Sequence, residues 1–119
     1  MFVDRVLHFN QADREADVIV SDGIYAVICY ACPVNVIEVK QKICAIYGFQ
    51  CTDIYKAFNH SYCIKKLTQY YAYALIAKVI SKKQCIVQIG NLRIYLDSPI
   101  PNDIAEGEYI SFSVLRLDI

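Results

Sequence analysis

Cys29-Tyr30-Ala31-Cys32 sets two thiols three residues apart, and His60-Ser61-Tyr62-Cys63 sets an imidazole and a thiol at the same spacing. Two such pairs offer the four ligands that a tetrahedral zinc site takes. Ligand pairs of this spacing sit on tight turns that aim both side chains at one point. Residues 24–31 instead read as a strand that is apolar on both faces, and in a strand Cys29 and Cys32 project to opposite sides. No glycine follows Cys32 to make a knuckle. Zinc on Cys29, Cys32, His60 and Cys63 is therefore a fallback, and no metal or other cofactor is expected. A dithiol redox centre needs its first cysteine at a helix N-terminus, where the dipole lowers the thiol pKa. Here both cysteines precede the next expected helix. Free cysteine is among the most buried residue types, so Cys29, Cys44 and Cys85 are expected in the core.

Other catalytic groupings are sparse. With only His8 and His60, a Cys–His nucleophile pair reduces to Cys63 with His60, and no glycine-rich elbow surrounds it. Glycines 23, 48, 90 and 107 are isolated from one another, so no loop cradles phosphate. Asp13, Glu15 and Asp17, and again Asp103, Glu106 and Glu108, read as solvated turns. The chain is not expected to be an enzyme.

The strongest signal is YKAFNHSYCIKKLTQYYAY, residues 55–73, where rings alternate with lysines. Its candidate binding residues are Tyr55, Lys56, Tyr62, Lys65, Lys66, Tyr70, Tyr71 and Tyr73. Tyrosine is favoured at protein interfaces because it combines a large rigid contact with a hydroxyl, and ten tyrosines exceed what one small core can hide. The favoured expectation is a non-enzymatic module that binds another protein. A small inhibitor fits, such as an immunity or antitoxin protein that neutralises a toxin, and the A/T-rich codons of Ile, Tyr, Lys and Phe suit a bacterial gene. The alternative is single-stranded nucleic acid on the Tyr/Lys-rich segment 55–83, bases stacking on rings while lysines hold phosphates. A net charge of zero weighs against a polyanion. The charges are nonetheless segregated. Residues 1–39 carry two Arg against six acids, residues 40–93 carry eight Lys and Arg93 against Asp53, and residues 94–119 carry Arg116 against five acids. Such a pattern steers charged partners if folding preserves it.

The elements that must position these residues are mostly strands. At 119 residues the chain suits a single domain, 1–119. It shows no signal-like apolar start, and lysines interrupt every apolar run, so no membrane association and a cytoplasmic setting with reduced cysteines are expected. Gly90-Asn91 marks a two-residue hairpin pairing Ile89 with Leu92, Val87 with Ile94 and Cys85 with Leu96. A three-residue loop at Ser81-Lys82-Lys83 would pair Val79 with Cys85 and keep Lys78 outside. Ile110, Phe112 and Val114 alternate inward, then the apolar phase flips at 114–115, which predicts a bulge or strand end there. Ser21-Asp22-Gly23 joins a second pair of strands. Asn35 with Glu38 reads as a capping box, and Val36, Val39, Ile43, Ile46 and Tyr47 recur at helical spacing up to Gly48. Thr52 could cap a second short helix reaching about Asn59.

The expectation is a β-dominated α+β fold: a small antiparallel, barrel-like sheet of about six strands with one or two short helices between residues 36 and 60. In outline, residues 16–119 resemble the OB-fold barrels, a resemblance of architecture that implies an oligonucleotide-binding barrel face.

Overall fold

Apolar–polar alternation, the dominant pattern of this chain, is the pattern of half-buried strands. The computed structural model describes residues 1–119 and contains eleven strands and no helix. They are β1 (Phe2–Asn10), β2 (Glu15–Ser21), β3 (Ala26–Ala31), β4 (Ile46–Phe49), β5 (Thr52–Lys56), β6 (Cys63–Lys66), β7 (Tyr73–Ser81), β8 (Ile86–Ile89), β9 (Leu92–Tyr95), β10 (Tyr109–Val114) and β11 (Arg116–Asp118). All belong to one open mixed sheet in the order β1-β2-β3-β11-β4-β9-β8-β7-β10-β5, with β6 paired to β7 off that path. The α+β expectation, with six antiparallel strands and helices between 36 and 60, is thus overturned. Two pairings are parallel, β11 with β3 and β4 with β9, which an antiparallel barrel does not contain.

Both expected helices fail for the same reason. Five of the twelve residues in the 36–47 stretch are Val or Ile, whose side chains lose χ1 freedom in a helix. Its backbone is used elsewhere: Val3 N–H donates to Gln41 O at 2.9 Å, and Ile43 N–H donates to Met1 O at 3.0 Å. Ile37, Ile43 and Ile46 are buried while Val36 and Val39 are exposed, so the helical spacing does not describe the buried face. Glu38 N–H turns to the Gln41 side chain rather than completing a capping box. Thr52-Asp53-Ile54-Tyr55, with three strand-favouring side chains, forms β5 along β10 instead of a helix.

The hairpins hold better. Ile89 pairs with Leu92 and Val87 with Ile94, and Leu96 N–H donates to Cys85 O at 2.8 Å. The preceding turn is longer than expected because Cys85 adopts φ 57° and leaves the strand. Val79 therefore pairs with Val87, two residues from the expected register, a shift that preserves parity and keeps Lys78 on the outer face. Ile86 is also buried. The Asp22 turn connects β2 to β3 with Ser21 opposite Ala26. The phase flip at 114–115 is a change of partners. β10 pairs with β7 and β5, the chain bends at Leu115, and β11 pairs with β4 and β3. Val114 and Leu117 are both buried as a result.

The inner faces meet in one core that takes Val18, Val27, Ile46, Leu75, Val87, Leu92, Ile110 and Leu117 from eight different strands. Two turns are tied over it by a carboxylate. Asp22 accepts from Ile24 and Tyr25 N–H through Oδ1 and from Asn91 N–H through Oδ2 at 2.7 Å, so the β2–β3 loop is fastened to the β8–β9 hairpin. Gly90 sits beneath this clasp at φ 56°, where a Cβ would lie 2.5 Å from the Tyr25 ring and 2.6 Å from Asp22 Oδ2. Gly90→Ala should therefore cost about 2 kcal/mol in a urea unfolding experiment, through both the φ and the clash. An unchanged midpoint would show that the clasp is loose.

Candidate functional site

The eight residues expected to bind a partner are divided among separate places. Tyr73 is buried in the core, and its hydroxyl accepts the Ile28 N–H at 2.9 Å. Lys56 is paired with Glu108 at 2.7 Å. Lys66 folds its ammonium onto the carbonyls of Leu67 and Gln69. Tyr70 and Tyr71 meet edge to face at 4.7 Å on another part of the surface. Tyr55 and Lys65 share the outer face of β5, β10, β7 and β6, and Tyr62 reaches that face through Tyr109, 5.6 Å away.

The fallback zinc ligands do not converge. Cys29 faces the core from β3, where burial pushes its thiol pKa up, while Cys32 is exposed beyond the end of that strand. His60 stacks on Tyr109, and Cys63 faces outward opposite Ile76. No three His, Cys, Asp or Glu side chains are grouped to hold a metal ion. Cys44, expected in the core, is exposed, and Cys51 takes a buried place instead. Burial pushes the Cys51 thiol to about 12, with Asp97 beside it.

What the strands do bring together is a row that no single segment of sequence contains. On the outer face, Asp17 of β2 lies opposite Tyr30 of β3, Tyr30 opposite Asp118 of β11, Asp118 opposite Tyr47 of β4, and Tyr47 opposite Tyr95 of β9. The row spans five strands. Beside it the Arg116 guanidinium lies 4.6 Å from the centroid of Tyr30 and 4.8 Å from that of Phe49, and both its Nε and Nη2 donate to the Asp118 carboxylate. A surface ion pair of this kind is worth only about 0.2–1 kcal/mol by itself. Its consequence is positional, because a cation in contact with both rings holds them together. Tyr30 also donates to Glu15, and Tyr71 donates to Asp17 at 2.6 Å while packing edge-on to Tyr30 at 5.7 Å. Tyr47 and Tyr95 pack at 5.4 Å, leaving Tyr47 52% and Phe49 38% exposed. Glu15 and Asp17, expected in a solvated turn, thus belong to β2 and orient tyrosines.

This surface is hidden from a reading along the chain by the residues around Gly48. Tyr47 and Phe49 alternate with Ile46 and Gly48 as a strand should, but they lie at the end of the stretch with helical spacing. Gly48 is buried where a Cβ would come within 2.8 Å of Cys51 Sγ, so glycine there marks close packing rather than a helix stop.

A second outer surface lies on β5, β10, β7 and β6. Tyr55, Ser111, Ile76 and Cys63 form one row in register, and Thr52, Ser113, Ala74 and Lys65 the next. The short side chains of Ser111, Ser113 and Ala74, with Ile76 beside them, leave a depression of about 300 Å³ between Tyr55 and Lys65.

No protein-family model matches the chain, and no curated protein or solved structure matches it. What these surfaces can do is decided by their residues.

The tyrosine–carboxylate bonds have a titration consequence. The hydrogen bond to Glu15 pushes the Tyr30 pKa above the ordinary tyrosine range, and burial followed by the bond to Asp17 does the same for Tyr71. Both groups are stabilised as neutral phenols, so their contribution is complete below the unfolded tyrosine pKa of about 10 and is lost as pH rises through the higher folded values. Urea midpoints measured from neutral pH to above pH ~10 should fall more steeply for the native chain than for the Tyr30→Phe, Tyr71→Phe double variant. Parallel curves would contradict the two hydrogen bonds.

Proposed function

We propose that this chain is a non-enzymatic protein-binding module of the cytoplasm, a small inhibitor of the kind that neutralises a toxin. The observation that carries the reading is the five-strand row of Asp17, Tyr30, Asp118, Tyr47 and Tyr95, with Arg116 held between Tyr30 and Phe49. Tyrosine, phenylalanine and arginine are the side chains that concentrate binding energy at interfaces, because they present large contact areas with few rotatable bonds. Internal hydrogen bonds to Glu15, Asp17 and Asp118 hold these groups before any partner arrives, which lowers the ordering entropy of association. The acids at one end of the row supply orientation and rate. No helix is long and apolar enough to cross a membrane.

Tagged native chain and a Tyr47→Ala, Phe49→Ala variant, expressed at matched levels in cells carrying the gene, test the reading by quantitative co-purification. A stoichiometric partner retained by the native chain should weaken at least about tenfold with the variant, since truncating a central ring costs about 2 kcal/mol or more. The variant's melting midpoint should remain close to native because both rings are outside the core. Equal recovery of the same proteins with both chains would overturn the assignment of the row. If the partner arrests growth when expressed alone and the chain relieves that arrest, the inhibitor role is supported. A partner without such an effect would leave a binding module that is no inhibitor.

A further inference from the structure

We infer that the outer face of β5, β10, β7 and β6 is a second binding site, separate from the aromatic row, and that its ligand is a short stretch of single-stranded nucleic acid. Three features of this face combine.

Its floor is low on one side. Ala74, Ser111 and Ser113 occupy outward positions of the two middle strands, with Ile76 beside them, and the depression above them is bounded by Tyr55 on one side and Lys65 on the other. The three short side chains leave room beside the Tyr55 ring. The Ser111 and Ser113 hydroxyls face outward and form no side-chain hydrogen bond within the chain, so both are free to meet a sugar, phosphate or base edge.

Its rings are placed for stacking. Tyr55 is 65% exposed and stands opposite Ser111. Tyr109 lies two residues before Ser111 in β10, which makes it the diagonal neighbour of Tyr55, at a separation of about 7–8 Å. One face of Tyr109 carries His60, nearly parallel at an interplanar angle of 10°, and His60 is itself exposed. The pair is a stack already begun, with an imidazole as its open end. Tyr109 itself is half-buried between His60 and Tyr62, so the exposed rings on this face are Tyr55 and His60, and exposed rings on a sheet surface bind unpaired bases because every base has a face that stacks.

Its charge is favourable for phosphate. Lys65 on β6 and Lys78 on β7, opposite Tyr109, take part in no ion pair or hydrogen bond, whereas Glu108 nearby is occupied by Lys56. Asp53, at the bulge of β5, is the one carboxylate lining the depression. The aromatic row offers no comparable site, since Glu15, Asp17 and Asp118 would repel phosphate there.

Two lysines define a weak, salt-sensitive ligand. Counterion release from a single strand contributes a slope of about −0.7 per phosphate neutralised, so the logarithm of affinity should fall against the logarithm of salt with a slope near −1.4. Fluorescence anisotropy of a labelled oligothymidine of about twelve nucleotides, from about 50 to about 200 mM salt, measures this directly. Tyr55→Ala should weaken binding about tenfold with the slope unchanged, because it removes stacking and no charge. Lys65→Gln with Lys78→Gln should weaken binding and bring the slope towards zero. Tyr47→Ala, on the other surface, should change neither. These positions lie on the outer face, and Tyr55→Leu provides a second variant that removes the ring while retaining an apolar side chain. The proposal is overturned if the oligonucleotide does not bind at about 50 mM salt, which is also the result for a face that takes a protein segment. It is equally overturned if binding survives all of these substitutions and is lost instead in a Lys82→Gln, Lys83→Gln variant.

Discussion

The bend at Leu115 is the constraint on which the rest of the structure depends. Ten residues of chain, Tyr109 to Asp118, serve four partners: the first half pairs with β7 and β5, the second with β4 and β3. The bend is held by the Leu115 N–H, which donates to Phe49 O at 3.0 Å. Strands far apart in the sheet order are thereby joined through one residue, and the sheet curls until its inner faces share a core. Val114 and Leu117, on either side of the bend, are both buried in that core although they lie three positions apart. A regular strand would place residues three apart on opposite faces. The bend therefore converts an alternation that would expose one of them into continuous burial.

The two outer surfaces follow from the same segment. Ser111 and Ser113 of β10 form part of the floor beneath Tyr55 and Lys65, whereas Arg116 and Asp118 of β11 stand among Tyr30, Phe49 and Tyr47. Their chemistries are opposed. The row gathers carboxylates from the two acidic ends of the sequence, at positions 15, 17 and 118, and the face with the depression carries two lysines from the basic middle, Lys65 at its edge and Lys78 further along β7, against Asp53. Folding partly mixes the signs, as Lys56 with Glu108 and Lys82 on the Asn102 carbonyl illustrate. Enough segregation survives for the proposal to assign a protein partner to one face and phosphate to the other. That division is the core of the functional proposal.

Much of the C-terminal half could be read directly from residue order because its contacts are local. Gly90-Asn91 sets the register of its own hairpin, and the phase change at 114–115 is visible in the spacing of apolar residues. The 36–47 stretch could not be read this way. Its helical spacing of Val and Ile competes with the strand preference of those same residues, and the competition is settled by the N-terminal segment, where Val3 of β1 bonds to Gln41 and Met1 bonds to Ile43. The candidate binding residues show a similar limit. Tyrosine and lysine crowd together in 55–73, but strand pairing sends Tyr73 to the core and Tyr71 to Asp17, and leaves Tyr55 and Lys65 together across two intervening strands. The aromatic row draws on positions 17, 30, 47, 95 and 118, which become neighbours only through long-range registers.

The central claim is that one curled sheet presents two chemically distinct faces, and amide chemical-shift mapping on isotopically labelled protein tests it most directly. On titration with oligothymidine at low salt, shifts should be confined to β5, β6, β7 and β10 and the His60 segment, with Tyr30, Tyr47, Phe49 and Arg116 unmoved. Shifts concentrated on β3, β4 and β11, or spread evenly over both faces, would contradict the division.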